Sequence, residues 1–442
     1  MMHDIRVVFL KNTAKCTEHL RHYKNAGLIF TDRDGCSPGL CLGVKNKPKF
    51  IHEKIRAAMK TASVRAFALL PVWILFCCCL LQAQTPFERT GQVFLVGQNT
   101  YDLLNFVVAP GNNVVQTSPF SPPPAGGIDA IGFRKTDNFI YGINPLDQHI
   151  YRIGKNGVSA DVGGAGLNPG LYYQAGDVTP DGNYLVSIGA DASSTDVHLA
   201  KTDLTGPVPV TEFVPLSSGY NLIDVAFDPN GGKLYGFDVF SHAFVTVNIN
   251  TGTITPFAPI GSGNNMFGLY FDAFGDLYAY GFTLSGIVDA LFIIDRNTGK
   301  EKRLATGPIT EVLDAASCPY SVEMKCTVTP EIVLPCSDVV YSYLIANGSG
   351  ETMMNAGFDH PLPAGFHFAN FLLDPFNAPI DTLSQPGVMR LHDLTLPPGK
   401  QSFSIKVSVG DVPKGPRNSQ SALTQLPALY GVKSRSDNPR EP

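Results

Sequence analysis

Gly127-Ile128-Asp129-Ala130-Ile131-Gly132-Phe133 opens a pattern that the chain then repeats. Ala175-Gly176-Asp177-Val178, Leu222-Ile223-Asp224-Val225-Ala226-Phe227, Met266-Phe267-Gly268-Leu269-Tyr270-Phe271 and Val312-Leu313-Asp314-Ala315 align with it on Asp129, Asp177, Asp224, Gly268 and Asp314, at spacings of 48, 47, 44 and 46 residues. A period in the forties with strand-like patterning inside each unit predicts a β-propeller.

Each unit divides in the same way. In the clearest copy Ile128–Phe133 reads as a first strand, Asn138–Ile143 as a second, His149–Ile153 as a third and Val158–Val162 as a fourth, with Gly154-Lys155-Asn156-Gly157 as the last hairpin turn. Later copies keep this punctuation, and Asn248-Ile249-Asn250-Thr251-Gly252 and Asp295-Arg296-Asn297-Thr298-Gly299 close their hairpins with a glycine that can take positive φ. Before Ile128 the chain offers Gln92–Gly97, Leu103–Val108 and Val114–Thr117, which read as second, third and fourth strands without a first. Val312–Ser317 is a first strand without followers. Joining the two completes a fifth blade and removes the exposed edges of an open array. The expectation is a five-bladed ring over residues 86–318.

Composition favours an exported protein. Charged side chains make up 16% of the 442 residues, below the usual quarter, and 43 Gly and 34 Pro suit many short strands and turns. Met59-Lys60-Thr61-Ala62-Ser63-Val64-Arg65 leads into an apolar run from Ala66 to Leu81 and then Gln82-Ala83-Gln84, which reads as a signal peptide over residues 59–83. Residues 1–58 are then a misassigned or disordered leader, with translation starting at Met59. The alternative is a signal anchor with its basic flank in the cytoplasm, although the run is short for a span. No integral membrane span is expected after signal cleavage.

From Gln84 onward there are 20 Lys/Arg against 33 Asp/Glu, a poor match for nucleic acid. The only tryptophan, Trp73, lies inside the signal, so stacking on a sugar ring falls to Tyr or Phe. The exported part keeps Cys318, Cys326 and Cys336, and their closeness predicts one disulfide, Cys326–Cys336, with one thiol left over.

After Cys318-Pro319-Tyr320 the repeats stop. Val322–Val328, Val339–Ile345, Phe366–Phe371 and Phe403–Val409 alternate apolar and polar residues between Pro/Gly turns, which predicts an immunoglobulin-like β-sandwich over residues 319–440. Tyr341-Ser342-Tyr343-Leu344-Ile345-Ala346-Asn347-Gly348, Asp359-His360-Pro361-Leu362-Pro363-Ala364-Gly365, Asn418-Ser419-Gln420-Ser421-Ala422-Leu423 and Ser436-Asp437-Asn438-Pro439 resemble the conserved-repeat domain of bacterial surface proteins. The preceding repeats are similar to the uncharacterised propeller domains found beside such domains in exported proteins of the Bacteroidetes. The resemblance implies an extracellular, surface-associated module with no activity attached.

Motifs for chemistry are scarce. The sequence contains no His-Glu-x-x-His, no Gly-x-Ser-x-Gly elbow and no phosphate-binding Gly-Lys-Ser/Thr loop. The constellation to weigh is Asp129, Asp177, Asp224 and Asp314. First strands of a propeller line its axis, so these carboxylates are candidates for a calcium-binding ring of hard oxygen ligands. The competing reading is that each accepts backbone N–H bonds and locks blade to blade. The functional expectation is a non-catalytic extracellular or cell-surface binding or adhesion module, the propeller a platform for a glycan or surface protein and the sandwich a spacer. The alternatives are a structural component of a secreted assembly and a metal-dependent hydrolase or lactonase.

Overall fold

The computed structural model describes residues 83–436, apart from 98–102, 110–112, 118–124, 165, 192–196, 218, 258–263, 284–287, 310–311, 377–386, 418 and 432. The leader and nearly all of the signal segment lie outside the described residues. Regular structure within them is all β, apart from one 3-10 turn at Ala428–Tyr430, and no helix is long and apolar enough to cross a membrane.

Three strands come first, β1 (Val93–Gly97), β2 (Leu103–Ala109) and β3 (Asn113–Thr117). The repeats follow in groups of four. The first group is β4 (Asp129–Arg134), β5 (Phe139–Ile143), β6 (Ile150–Ile153) and β7 (Ser159–Gly163). The second is β8 (Tyr172–Val178), β9 (Tyr184–Ala190), β10 (Val197–Asp203) and β11 (Val210–Pro215). The third is β12 (Leu222–Phe227), β13 (Leu234–Asp238), β14 (Ala243–Val247) and β15 (Ile254–Pro256). The fourth is β16 (Asn265–Phe271), β17 (Leu277–Phe282), β18 (Asp289–Ile294) and β19 (Glu301–Gly307), followed by β20 (Val312–Ser317).

Each group is an antiparallel meander. β20 pairs antiparallel with β1, Val93 opposite Ser317 and Val96 opposite Asp314, so the strand order β20-β1-β2-β3 completes a further four-stranded run. A single parallel bridge between Thr306 and Asn113 connects this run to the β16–β19 group. The turns behave as read from the sequence: Gly252 and Gly299 take φ of +69° and +65°, and the Asp295 carboxylate accepts from Asn297 N and Thr298 Oγ1.

The strands are nearly continuous apolar runs because both faces of each sheet are covered. Ala130, Tyr141 and Ile150 pack on Tyr173, Val178 and Leu185, and equivalent clusters join every neighbouring pair of groups. The last such cluster sets Phe94 and Val96 against Ile131 and Ile140. The first strands meet in the same cycle: β4 touches β8, β8 touches β12, β12 touches β16, β16 touches β20 and β20 touches β4. They meet backbone to backbone. A Cβ on Gly132 would lie 2.4 Å from Val178 N, and one on Gly176 would lie 2.6 Å from the Ala130 carbonyl carbon.

Eight more strands form two further sheets: β21 (Val322–Thr329), β22 (Asp338–Asn347), β23 (Met353–Pro361), β24 (Phe366–Leu373), β25 (Val388–Leu396), β26 (Gly399–Val409), β27 (Gln420–Thr424) and β28 (Lys433–Ser436). Their orders are β21-β22-β26-β24 and β25-β23-β27-β28. In β26, Phe403, Ile405, Val407 and Val409 are buried and the residues between them face outward, the period of a strand with one covered face. The two sheets share one core, in which Phe403 lies 5.0 Å edge-on from Phe358 and 4.5 Å stacked on Tyr343.

The expected Cys326–Cys336 disulfide does not form. Cys326 sits opposite Tyr343 in the β21–β22 pair, whereas exposed Cys336 lies in the loop that precedes Asp338. From Asp338 to Tyr343 the strand advances about 16 Å, far beyond the Cα separation of about 7 Å that a disulfide tolerates. Nearness in sequence is undone here by strand register.

Candidate functional site at the axis of the repeats

Every first strand carries an irregularity within three residues of its aligned position. Pairing with the second strand slips around Gln174 in β8, Ile223 in β12, Phe267 in β16 and between Asp129 and Gly132 in β4, and β20 slips against β1 at Leu313. A bulge bends the strand, re-aims its side chains and leaves an N–H without a ladder partner. Those N–H groups explain the aspartates.

The four carboxylates act alike. Oδ1 of each accepts from the next residue's own N–H: Ala130 at 3.0 Å for Asp129, Val178 at 2.7 Å for Asp177, Val225 at 2.6 Å for Asp224 and Ala315 at 2.9 Å for Asp314. Oδ2 reaches the neighbouring first strand. Asp129 takes the Tyr172 hydroxyl at 3.0 Å and Asp177 takes Phe227 N at 2.8 Å. Asp224 takes Leu269 N, and Asp314 takes Ile131 N.

The joint between β16 and β20 lacks an aspartate, since Gly268 stands at the aligned position. There Asp224 Oδ2 also accepts Ala315 N at 3.2 Å, and Ser317 Oγ donates to Phe271 O at 2.6 Å. These bonds are the ones the locking alternative describes, each carboxylate tying its own strand to a neighbouring first strand. Among the described residues no three His, Cys, Asp or Glu side chains are arranged to hold a metal.

Burial controls the protonation of these groups. Asp129, Asp224 and Asp314 are wholly buried and Asp177 half-buried. Desolvation pushes Asp129 up to about 8 and Asp177 up to about 7, against the opposing pull of their hydrogen bonds. Asp224 and Asp314 are raised well above the ordinary carboxylate range, by burial first and, for Asp314, by the Asp224 charge beside it.

One end of the axis is covered. Pro319 and Tyr320 leave β20 and close a cavity of about 10 Å³ that Asp177, Phe227 and Phe271 also line, room for a single water. The last two sheets pack beside them. Lys325 Nζ reaches Asp276 Oδ2 at 2.6 Å across the turn between β16 and β17, and lies 3.9 Å from the Phe274 ring centre. Arg89 completes the clamp, its Nε donating to Asn138 Oδ1 at 2.8 Å while its backbone N donates to Leu429 O at 2.7 Å.

At the other end, where the first strands begin, a polar set escaped the sequence reading. Three residues before the aligned positions stand Gly126, Gln174, Asn221, Asn265 and Glu311, the last outside the described residues. Gln174 Nε2 donates to Asn221 Oδ1 at 3.1 Å and to Leu222 O at 3.3 Å. Asn265, in the corresponding place on β16, keeps its Oδ1 buried without a hydrogen-bond partner. The alignment that exposed the aspartates contains this column too.

Residues 94–320 match the family model described as "Repeat of unknown function (DUF6923)". The chain belongs to this family. The matched span of the DUF6923 repeat runs from β1 through β20, the part whose four-stranded sheets are propeller-like. Comparison with curated proteins returns no match. Among solved structures, the Kuenenia stuttgartiensis hydrazine synthase is 14% identical with a TM-score of 0.31, over 52% of this chain and 59% of that one. The chain thus spans well under two thirds of that relative. A gluconolactonase from Xanthomonas campestris is 11% identical with a TM-score of 0.29, over 52% and 90% of the two chains. The PQQ-bound aldose sugar dehydrogenase of Streptomyces coelicolor is 15% identical with a TM-score of 0.31, over 53% and 78%.

Proposed function

We propose that this DUF6923 protein is a non-catalytic, exported binding module, a five-bladed propeller carrying an immunoglobulin-like sandwich as its spacer. The observation that carries the reading is the asymmetry of the axis. Its centre is taken up by carboxylates bonded to backbone N–H groups, one end is covered by the second pair of sheets, and the other presents half-buried amides. Five sheet-to-sheet clusters in a closed cycle support the blade count, and the shared core of two antiparallel sheets supports the sandwich. The export signal beginning near Met59 supports a secreted or cell-surface location.

The test is a screen of the protein recovered outside a bacterial host against arrayed glycans, cell-surface polysaccharides and surface proteins, with calcium and with chelator. Saturable binding that survives chelation is expected. Absence of any binding would sink the reading, as would recovery with residues 1–58 still attached for its export half.

A further inference from the structure

The export half of the reading above places a cut between Ala83 and Gln84, and the following step rests on it. We propose that the first group of strands carries a seat for this junction, so that the order of folding and cutting decides whether the chain is released or stays attached to the membrane.

The segment after the signal is strapped across the β6–β7 hairpin. The Asn156 side chain holds its backbone on either side of Gln84, Nδ2 donating to Ala83 O at 3.0 Å and Oδ1 accepting Thr85 N at 3.2 Å. Lys155 N donates to Thr85 O at 2.8 Å, and the approach is close enough that a Cβ on Gly154 would lie 2.7 Å from the same oxygen. Three bonds hold the Gln84 side chain. Its Nε2 donates to Arg152 O at 2.6 Å and Val158 O at 2.9 Å, and its Oε1 accepts Arg152 Nε at 2.7 Å.

These are the groups a peptidase needs. It takes its substrate as extended chain, pairs with the backbone on both sides of the bond and moves the scissile carbonyl onto its own oxyanion donors. Water then adds to the Ala83 carbonyl carbon and the bond to the Gln84 nitrogen breaks, leaving a carboxylate on Ala83 and an ammonium on Gln84. In the seat the Ala83 carbonyl is taken by Asn156, and Thr85 N and O are taken by the turn. Cutting therefore requires the strap to lift off.

The strap is fixed further along by residues from distant parts of the chain. Phe87 is buried with Phe94 and Tyr320, its N donates to Asn138 O at 2.8 Å, and Arg89 N donates to Leu429 O at 2.7 Å. The seat is complete only once Tyr320 and Leu429 are in place, so the folding chain is open to the peptidase and the folded chain is closed to it. A molecule that folds first keeps the apolar run Ala66–Leu81 as a membrane attachment. A molecule that is cut first is released, and its seat loses only the Ala83 bond.

The experiment dilutes the full chain from urea into detergent micelles, adds purified bacterial signal peptidase either at once or after refolding, and follows by mass the product that begins at Gln84. Wild type is compared with Asn156→Asp, which keeps the acceptor for Thr85 N and loses the donor to Ala83 O, with Arg152→Ala, and with Lys300→Ala on the β18–β19 hairpin, each with a thermal midpoint. Cutting of a folded chain tracks the population of its opened form. The expected result is cutting about tenfold slower after refolding than during it in wild type and Lys300→Ala, and about threefold or more faster than refolded wild type in the two seat variants at unchanged midpoint. In a bacterial host the seat variants should move protein from the cell-bound to the released fraction. Equal rates before and after refolding overturn the proposal and leave the export reading standing, as does resistance that neither seat variant weakens. A rise in cutting that follows a fallen midpoint overturns the seat in favour of general unfolding, and an unchanged partition in the host overturns its role in release. Cutting at another bond, or none in either arm, overturns the proposal together with the export reading beneath it.

Discussion

The axis of the repeats and the core of the last two sheets are both buried at their centres, yet they are built from opposite materials. The second core is filled mainly by apolar side chains, Phe358, Phe403, Ile405 and Leu391 among them, with the Tyr343 hydroxyl and His360 as a buried polar pair, and its β22–β26 strands pair in long register. The axis is held by carboxylates. Each of its strands is bulged, so amides that a regular ladder would use are left over, and an apolar side chain could not satisfy them. Polarity at this axis answers the backbone geometry of its strands.

The difference can be broken or sharpened by substitution. Phe403→Ala empties the stacked centre of the second core and is expected to cost about 3–5 kcal/mol in urea unfolding, with Phe403→Leu recovering part of it. Asp224→Ala takes the carboxylate from Leu269 N and Val225 N together and should cost about 3 kcal/mol, and here Asp224→Leu should recover nothing. Recovery by leucine at position 224 would mean that volume, not hydrogen bonding, holds the axis.

A pH series separates the regions further. The folded carboxyl of Asp129 is raised from 3.8 to about 8 and that of Asp177 from 3.8 to about 7, so between these limits the folded state binds more protons than the unfolded chain. Stability must therefore fall as pH rises from about 4 through 8. Urea midpoints should show this fall in wild type and a shallower one in Asp129→Asn, while Phe403→Leu keeps the wild-type slope. A midpoint that rises with pH would show that the hydrogen bonds outweigh burial. The smallest effect belongs to the joint: Lys325→Ala removes a half-exposed ion pair with Asp276 and should cost under about 1 kcal/mol, read as an earlier loss of cooperativity between the two regions.

Much of this was legible in the chain. Strand positions in the Ile128–Gly163 unit fall within a residue or two of the reading, because alternation and turn glycines mark them locally, and the pairing of Val312–Ser317 with Val93–Gly97 follows from counting strands. The aligned aspartates were visible because a repeat displays its invariant column. Their use was not, since a bulge is an offset between two strands and neither strand alone records it. The same blindness to register produced the Cys326–Cys336 pairing. The amides at 174, 221 and 265 were passed over because a search led by charge does not stop at neutral side chains.

The seam between β1 and β20 also sets a clock on biogenesis. Val93 finds its partner only when Ser317 exists, and at 5–20 residues per second that is about 10–45 s after Val93 is made. Through that interval the β1 edge stays open and the ring has no closed form. Under the export proposed above, the delay works in the chain's favour, because the structure that would block passage cannot assemble before the last repeat strand has been synthesised.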